Sequence, residues 1–134
     1  KAVAAQIEQT EAELQASGTA DAQAVARRLA AARQAFLDAV DFMAANTKAN
    51  PNAAFAGSVP YLMLAGNLVA GWQMGRALLV AQQLSSKGQD QAFMQAKIAT
   101  ARFYAEHILV KAPAQRDAIV EGAASVTALA LDAF

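Results

Sequence analysis

The run from Val59 to Val80 limits what this chain can become more than any other part of it. It is apolar almost all round, through Tyr61-Leu62-Met63-Leu64 and on to Leu78-Leu79-Val80, and it is long enough to cross a bilayer. A helix of that kind has to be covered, by lipid or by other helices. Within it, Gly71-x-x-x-Gly75 has the spacing that lets membrane helices approach closely. Asn67, Gln73 and Arg76 lie in the same run, and an arginine near a span centre costs about 2.5–3.5 kcal/mol on insertion scales. The flanking segments are amphipathic, with the solvated faces a bundle in water needs. The expectation is a central bundle helix enclosed by its partners, with a membrane span disfavoured. Gly71 and Gly75 then admit a neighbouring helix close to the backbone, and Trp72 fills the space alongside, substantially buried.

Helix breakers divide the rest. Ala2 to Ala16 places Val3, Ile7, Thr10 and Leu14 on one helical face, with Glu8, Glu11 and Glu13 read as its solvated side. Ser17-Gly18 ends this helix, the glycine taking a left-handed C-cap, and Thr19 or Asp21 caps the next. The second helix turns Val25, Leu29, Ala32, Phe36, Val40 and Met43 inward and leaves Arg27, Arg28, Gln34, Asp38 and Asp41 in water. Asn46 to Asn52 is a turn, with Asn50 the next N-cap and Pro51 at the first helical position. The third helix is expected from about Pro51 to Ser86, bent or reset at Pro60. Lys87-Gly88 stops it, and Asp90 caps a fourth helix reaching about Val110. Ala112-Pro113 breaks the chain again, and a last helix from Pro113 to Ala133 aligns Ile119, Ala123, Val126 and Ala130, with Leu129 beside them. No strand-like alternation or hairpin dipeptide appears. The predicted fold is all-α: one up-down antiparallel bundle of four to five helices over residues 1–134.

Composition removes most chemistries. Lys plus Arg and Asp plus Glu are both 11, so the basic footprint of a nucleic-acid binder is missing. There is no cysteine for a disulfide or thiolate site, and one histidine cannot build a zinc cluster. The glutamates of the first helix lack the Glu-x-x-His partner of a di-iron bundle. Phosphate loops and serine elbows are absent as well. General acid–base catalysis needs two tuned groups near one substrate, and none can be paired here. Phe93 and Phe103 read as core.

The stretch Lys97-Ile-Ala-Thr-Ala-Arg-Phe-Tyr-Ala-Glu-His-Ile-Leu carries two kinds of face. Ile98, Ala101, Ala105, Ile108 and Leu109 form an apolar stripe, while Arg102, Tyr104, Glu106 and His107 present polar tips. Arg102 and Glu106 stand four apart, a spacing that pairs on a helix surface for a few tenths of a kcal/mol. His107 has no serine or carboxylate partner at a recognisable spacing. These tips read as a docking surface rather than a reaction centre. With Gly71, Trp72, Gly75 and Arg76 they make up the interface candidates.

Taken in order, Val59-Pro-Tyr-Leu-Met-Leu-Ala-Gly-Asn-Leu-Val-Ala-Gly-Trp, the Lys97–Leu109 stretch and Glu121-Gly-Ala resemble the C-terminal extension of a branch of the acyl-CoA dehydrogenases. The resemblance is good from about Ala54 to Ala124, looser from Ala24 to Asn46, and not diagnostic from Lys1 to Asp21. It implies a parent flavoenzyme that oxidises acyl-CoA thioesters with FAD and a carboxylate base. It also implies catalytic domains earlier in the same polypeptide, a homo-oligomer and a cytoplasmic location. No residue here matches the family's catalytic glutamate; Glu106 and Glu121 belong to the extension's own pattern. The implied role is accessory: docking, oligomerisation or shaping of the acyl-chain entrance, with FAD in the parent and no cofactor on this piece. A start at Lys1 rather than Met fits an excised domain. The alternative is a freestanding helical interaction module, in one version membrane-associated through its apolar third helix.

Overall fold

Four long helices follow one another up, down, up and down. The computed structural model describes residues 2–133. Helix α1 spans Ala2–Ser17, α2 Ala20–Ala49, α3 Pro51–Ala56, α4 Ser58–Ser86, α5 Gln91–His107, α6 Ala112–Val120 and α7 Ala123–Val126. Short 3-10 turns occupy Leu109–Lys111 and Leu131–Ala133. Among the described residues no strand is present, and no helix is long and apolar enough to cross a membrane.

The chain reverses where the side chains dictate. Gly18 takes a φ of 72°, and the Thr19 hydroxyl accepts the Ala22 amide at 3.2 Å, closing the first turn of α2. At the far end the Asn50 side chain accepts the Ala53 amide at 3.4 Å, with Pro51 opening α3. Helix α2 is the hub, packing against α1, α4, α5 and α6. Its inward face is mostly alanine, with Ala22, Ala26, Ala32 and Ala39 fully covered around Val25 and Leu29, so neighbouring backbones come close. Trp72 of α4 donates its indole N–H to the Thr10 hydroxyl at 2.8 Å, Leu14 lies against Gly75, and the Ser17 hydroxyl reaches Gln82 at 2.9 Å. Residue numbers on α1 and α4 rise together across these contacts, so the two helices run parallel.

Several expectations need correction. The third helix is not continuous: it breaks at Gly57. Pro60 lacks the N–H that would bond Ala56, and it sits in the first turn of α4, where that donor is not needed. A Cβ on Gly57 would come within 3.1 Å of Ile119, so α6 packs directly on the break. Helix α5 ends at His107, short of Val110, and Leu109 swings into a 3-10 turn that buries it. Asp90 precedes α5 with a φ of 34° and makes no side-chain cap. The expected last helix stops at Val120. A Cβ at Gly122 would run into the Ala118 carbonyl oxygen, and beyond it Val126 and Leu129 are exposed.

Four burial assignments also change. Glu11 is not on a solvated face: its side chain keeps 7% exposure and takes a two-pronged hydrogen bond from Arg33 (2.9 and 3.0 Å). Val3 is half exposed. Phe93 and Phe103 are not core residues but stand 51% and 59% exposed on the outside of α5. The core is instead made by the small and branched residues beneath them, Ile98, Ala101 and Ala105.

Candidate docking surface

The side chains singled out from the sequence fall at three depths. Gly71 and Gly75 are inside the bundle. A Cβ on Gly71 would stand 2.6–2.9 Å from the Leu109 side chain, and one on Gly75 would stand 3.1 Å from Leu14. Their closeness serves this chain's own packing. Trp72 and Tyr104 bridge helices from half-buried positions. The first bonds α1, and the Tyr104 hydroxyl donates to the Asn67 carbonyl of α4 at 3.2 Å. Arg76, Arg102, Glu106 and His107 lie nearer the surface.

Arg102 does more than pair along its helix. Its Nε donates to Glu106 at 3.0 Å, and its Nη1 reaches Asp21 on α2 at 2.8 Å. The bond to Asp21, then that to Glu106, holds the guanidinium above its ordinary pKa. Both bridges are about 40% exposed, so they orient α5 on α2 more than they stabilise it. Of the two cap candidates Thr19 serves and Asp21 does not; the link of Asp21 to α5, at a separation of 81 residues, leaves no trace in local sequence. His107 stacks on Phe103 with ring centroids 4.3 Å apart, and Arg76 lies over the Trp72 ring at 5.6 Å. No three His, Cys, Asp or Glu side chains converge as a metal site among the described residues. The polar tips are therefore largely committed within the chain; at the rim, His107 has only its stacking on Phe103, and Arg76 donates to Gln73 at 3.1 Å.

Burial raises the Tyr104 phenol above its ordinary value of 10.0. The neutral form is favoured in the fold, so this contribution is complete below pH 10 and is lost as pH climbs through the folded-state value. Tyr104→Phe should cost about 0.5–1.5 kcal/mol near neutrality through the lost bond to Asn67, toward the low end for so long a contact. The same variant should show a shallower loss of stability above pH 10. Urea unfolding across that range checks both parts. A variant as stable as the parent, with the same alkaline slope, would show that the hydroxyl is solvated.

What the sequence did not reveal is apolar. The core side of α4 carries Leu64, Leu68, Gly71, Gly75, Leu78 and Ala81. On the opposite side Val59 and Leu62 are each 71% exposed, and Met63 and Val69 are about half exposed. The expected enclosure of this helix is therefore only half realised, because α1, α2, α5 and α6 leave its outer side open. The signal was present, since a helix apolar all round asks for more covering than a four-helix bundle provides. Open apolar stripes of this kind mark interaction sites.

A family model described as "Acetyl-CoA dehydrogenase C-terminal like" matches residues 3–130. The 3-methylmercaptopropionyl-CoA dehydrogenase of Ruegeria pomeroyi is 48% identical over 112 residues, which cover 84% of this chain and 19% of that protein. The chain thus spans about a fifth of that relative's length.

Proposed function

This chain belongs to the acetyl-CoA dehydrogenase C-terminal-like family, and we propose that it is the accessory C-terminal domain of an FAD-dependent enzyme oxidising acyl-CoA thioesters. The observation that carries the reading is the joint one of a family match across nearly the whole bundle and a bundle whose apolar helix α4 is left half uncovered. The domain docks on the catalytic part of the same polypeptide, supports its assembly into a homo-oligomer in the cytoplasm, and borders the acyl-chain entrance.

Among the described residues Thr10 and Glu11 are the polar residues that are buried as a whole, and both are engaged, Thr10 with Trp72 and Gln6, Glu11 with Arg33. In this reading flavin and base belong to the rest of the enzyme, and this domain contributes shape and contact. Removing residues 1–134 from the full-length enzyme should change its oligomeric state and lower both flavin retention and acyl-CoA turnover. Light scattering, flavin absorbance and steady-state kinetics read the three. A truncated enzyme unchanged in all of them would overturn the proposal.

A further inference from the structure

We propose that the outer face of α4, together with an apolar cavity beside it, seats the part of the polypeptide that precedes α1 in the longer enzyme. One bulky apolar side chain of that part enters the cavity. The inference rests on the C-terminal-domain reading above and adds which face is used and what covers it.

The face is built for a close, permanent contact. Val59, Leu62, Met63 and Val69 line it, and between Ser58 and Gly75 there is no charged residue. Depletion of charge is the mark of the centre of an interface rather than its rim. Gly66 sits in the middle of the stripe, and nothing lies within 4 Å of where its Cβ would be. A glycine in an exposed helix interior is unfavourable by about 0.5–1 kcal/mol relative to alanine, so its value here is the notch it leaves for another backbone.

The cavity continues the face. It has a volume of about 280 Å³ between α1, α2 and α4, lined by Val3, Ile7, Phe36, Val40, Leu68 and Val69, with Asp41 also in the lining. Val69 belongs to both face and cavity. The space is below the roughly 300–1,000 Å³ of ordinary small-molecule sites, yet larger than the ~150 Å³ that holds a benzene ring. One aromatic or long aliphatic side chain suits it best.

The occupant follows from where the chain runs. Val3 and Ala4, in the first turn of α1, form part of the lining, so polypeptide entering α1 arrives beside this cavity. The matched region is only 19% of the Ruegeria pomeroyi relative, and the family description places it at the C-terminal end. The remaining length thus leads into α1 at the place where the apolar surface lies open. A second copy or a free acyl chain would fill part of this surface without that continuity.

The test uses the full-length enzyme carrying Leu62→Lys with Val69→Lys and, separately, Gly66→Leu, which fills the notch without adding charge and without weakening the helix. Thr100→Lys on α5 is the control. Limited proteolysis of the junction before α1 is timed alongside native mass. Docking by the preceding polypeptide predicts cleavage about tenfold or more faster in both face variants, because a lysine there loses its water or a bulky leucine holds the backbones apart. The released bundle should be intact, and the control unchanged. Unaltered cleavage in both face variants overturns the proposal. So does a fall to subunit mass with the junction still protected, which would assign the face to a second copy. If these variants behave as the parent while removal of residues 1–134 still disturbs the enzyme, the accessory role stands and only this face is wrong.

Discussion

Replacing Glu11 with alanine should destabilise the bundle by about 3 kcal/mol, the lower part of the 3–5 kcal/mol found when one member of a buried ion pair is removed. The carboxylate is nearly sealed, and both of its oxygens are taken by Arg33. The truncation leaves Arg33, whose side chain is only 18% exposed in the parent, with Glu8 at 3.8 Å as its remaining carboxylate. In the parent, Glu11 and then Glu8 hold Arg33 above its ordinary pKa; with Glu11 gone the arginine still cannot escape by losing its proton, because a guanidinium stays charged in proteins. Removing both charges is a different experiment. Glu11→Leu combined with Arg33→Leu should fall within about 1 kcal/mol of the parent, because the desolvation cost of the pair disappears with its attraction. Urea unfolding of the two variants separates the cases. If Glu11→Ala lost less than about 1 kcal/mol, the pair would have to be far wetter than its geometry implies.

Gly71→Leu should be comparably damaging, at about 3 kcal/mol or more, since even a Cβ at this position presses on the Leu109 side chain and no room exists for an isobutyl group. Gly71→Ala should be milder, because the atoms it meets are the flexible end of Leu109. Gly66→Ala should go the other way and raise stability by about 0.5–1 kcal/mol, with nothing nearby to collide with and a better helix former in place. Two glycines five residues apart on one helix thus have opposite expected signs. Thermal melts of the three variants decide it, and an unchanged melting temperature for Gly71→Leu would mean that its face is open rather than packed.

The sequence made the topology legible because topology here is set by short-range chemistry. Gly18, Thr19, Asn50 and Pro51 act within a turn of where they stand, and each does what its residue type predicts. The break at Gly57 was less visible. Pro60 announced it, but the position was fixed by the approach of Ile119 from a helix far along the chain. Glu11 looked solvated because its partner lies 22 residues away on another helix. Phe93 and Phe103 looked buried because hydrophobicity alone cannot tell a core position from an open one on the same domain. The candidate surface was legible in part. Arg102, Tyr104, Glu106 and His107 do cluster near one helix end, yet three of them are spent on this chain's own contacts. The apolar face of α4 was hidden inside a run that read as core throughout.

The parallel seam between α1 and α4 has a kinetic meaning. The α1–α2 and α4–α5 hairpins join neighbours in sequence and need little loop closure, so their formation is entropically cheap. The seam joins residues 62 positions apart and can close only after α2 has returned the chain. Its central bond is made by Trp72, the one tryptophan in the sequence. Indole fluorescence in this protein should therefore carry a signal from the joining of the two hairpins, beside any change that Arg76 causes as α4 itself forms.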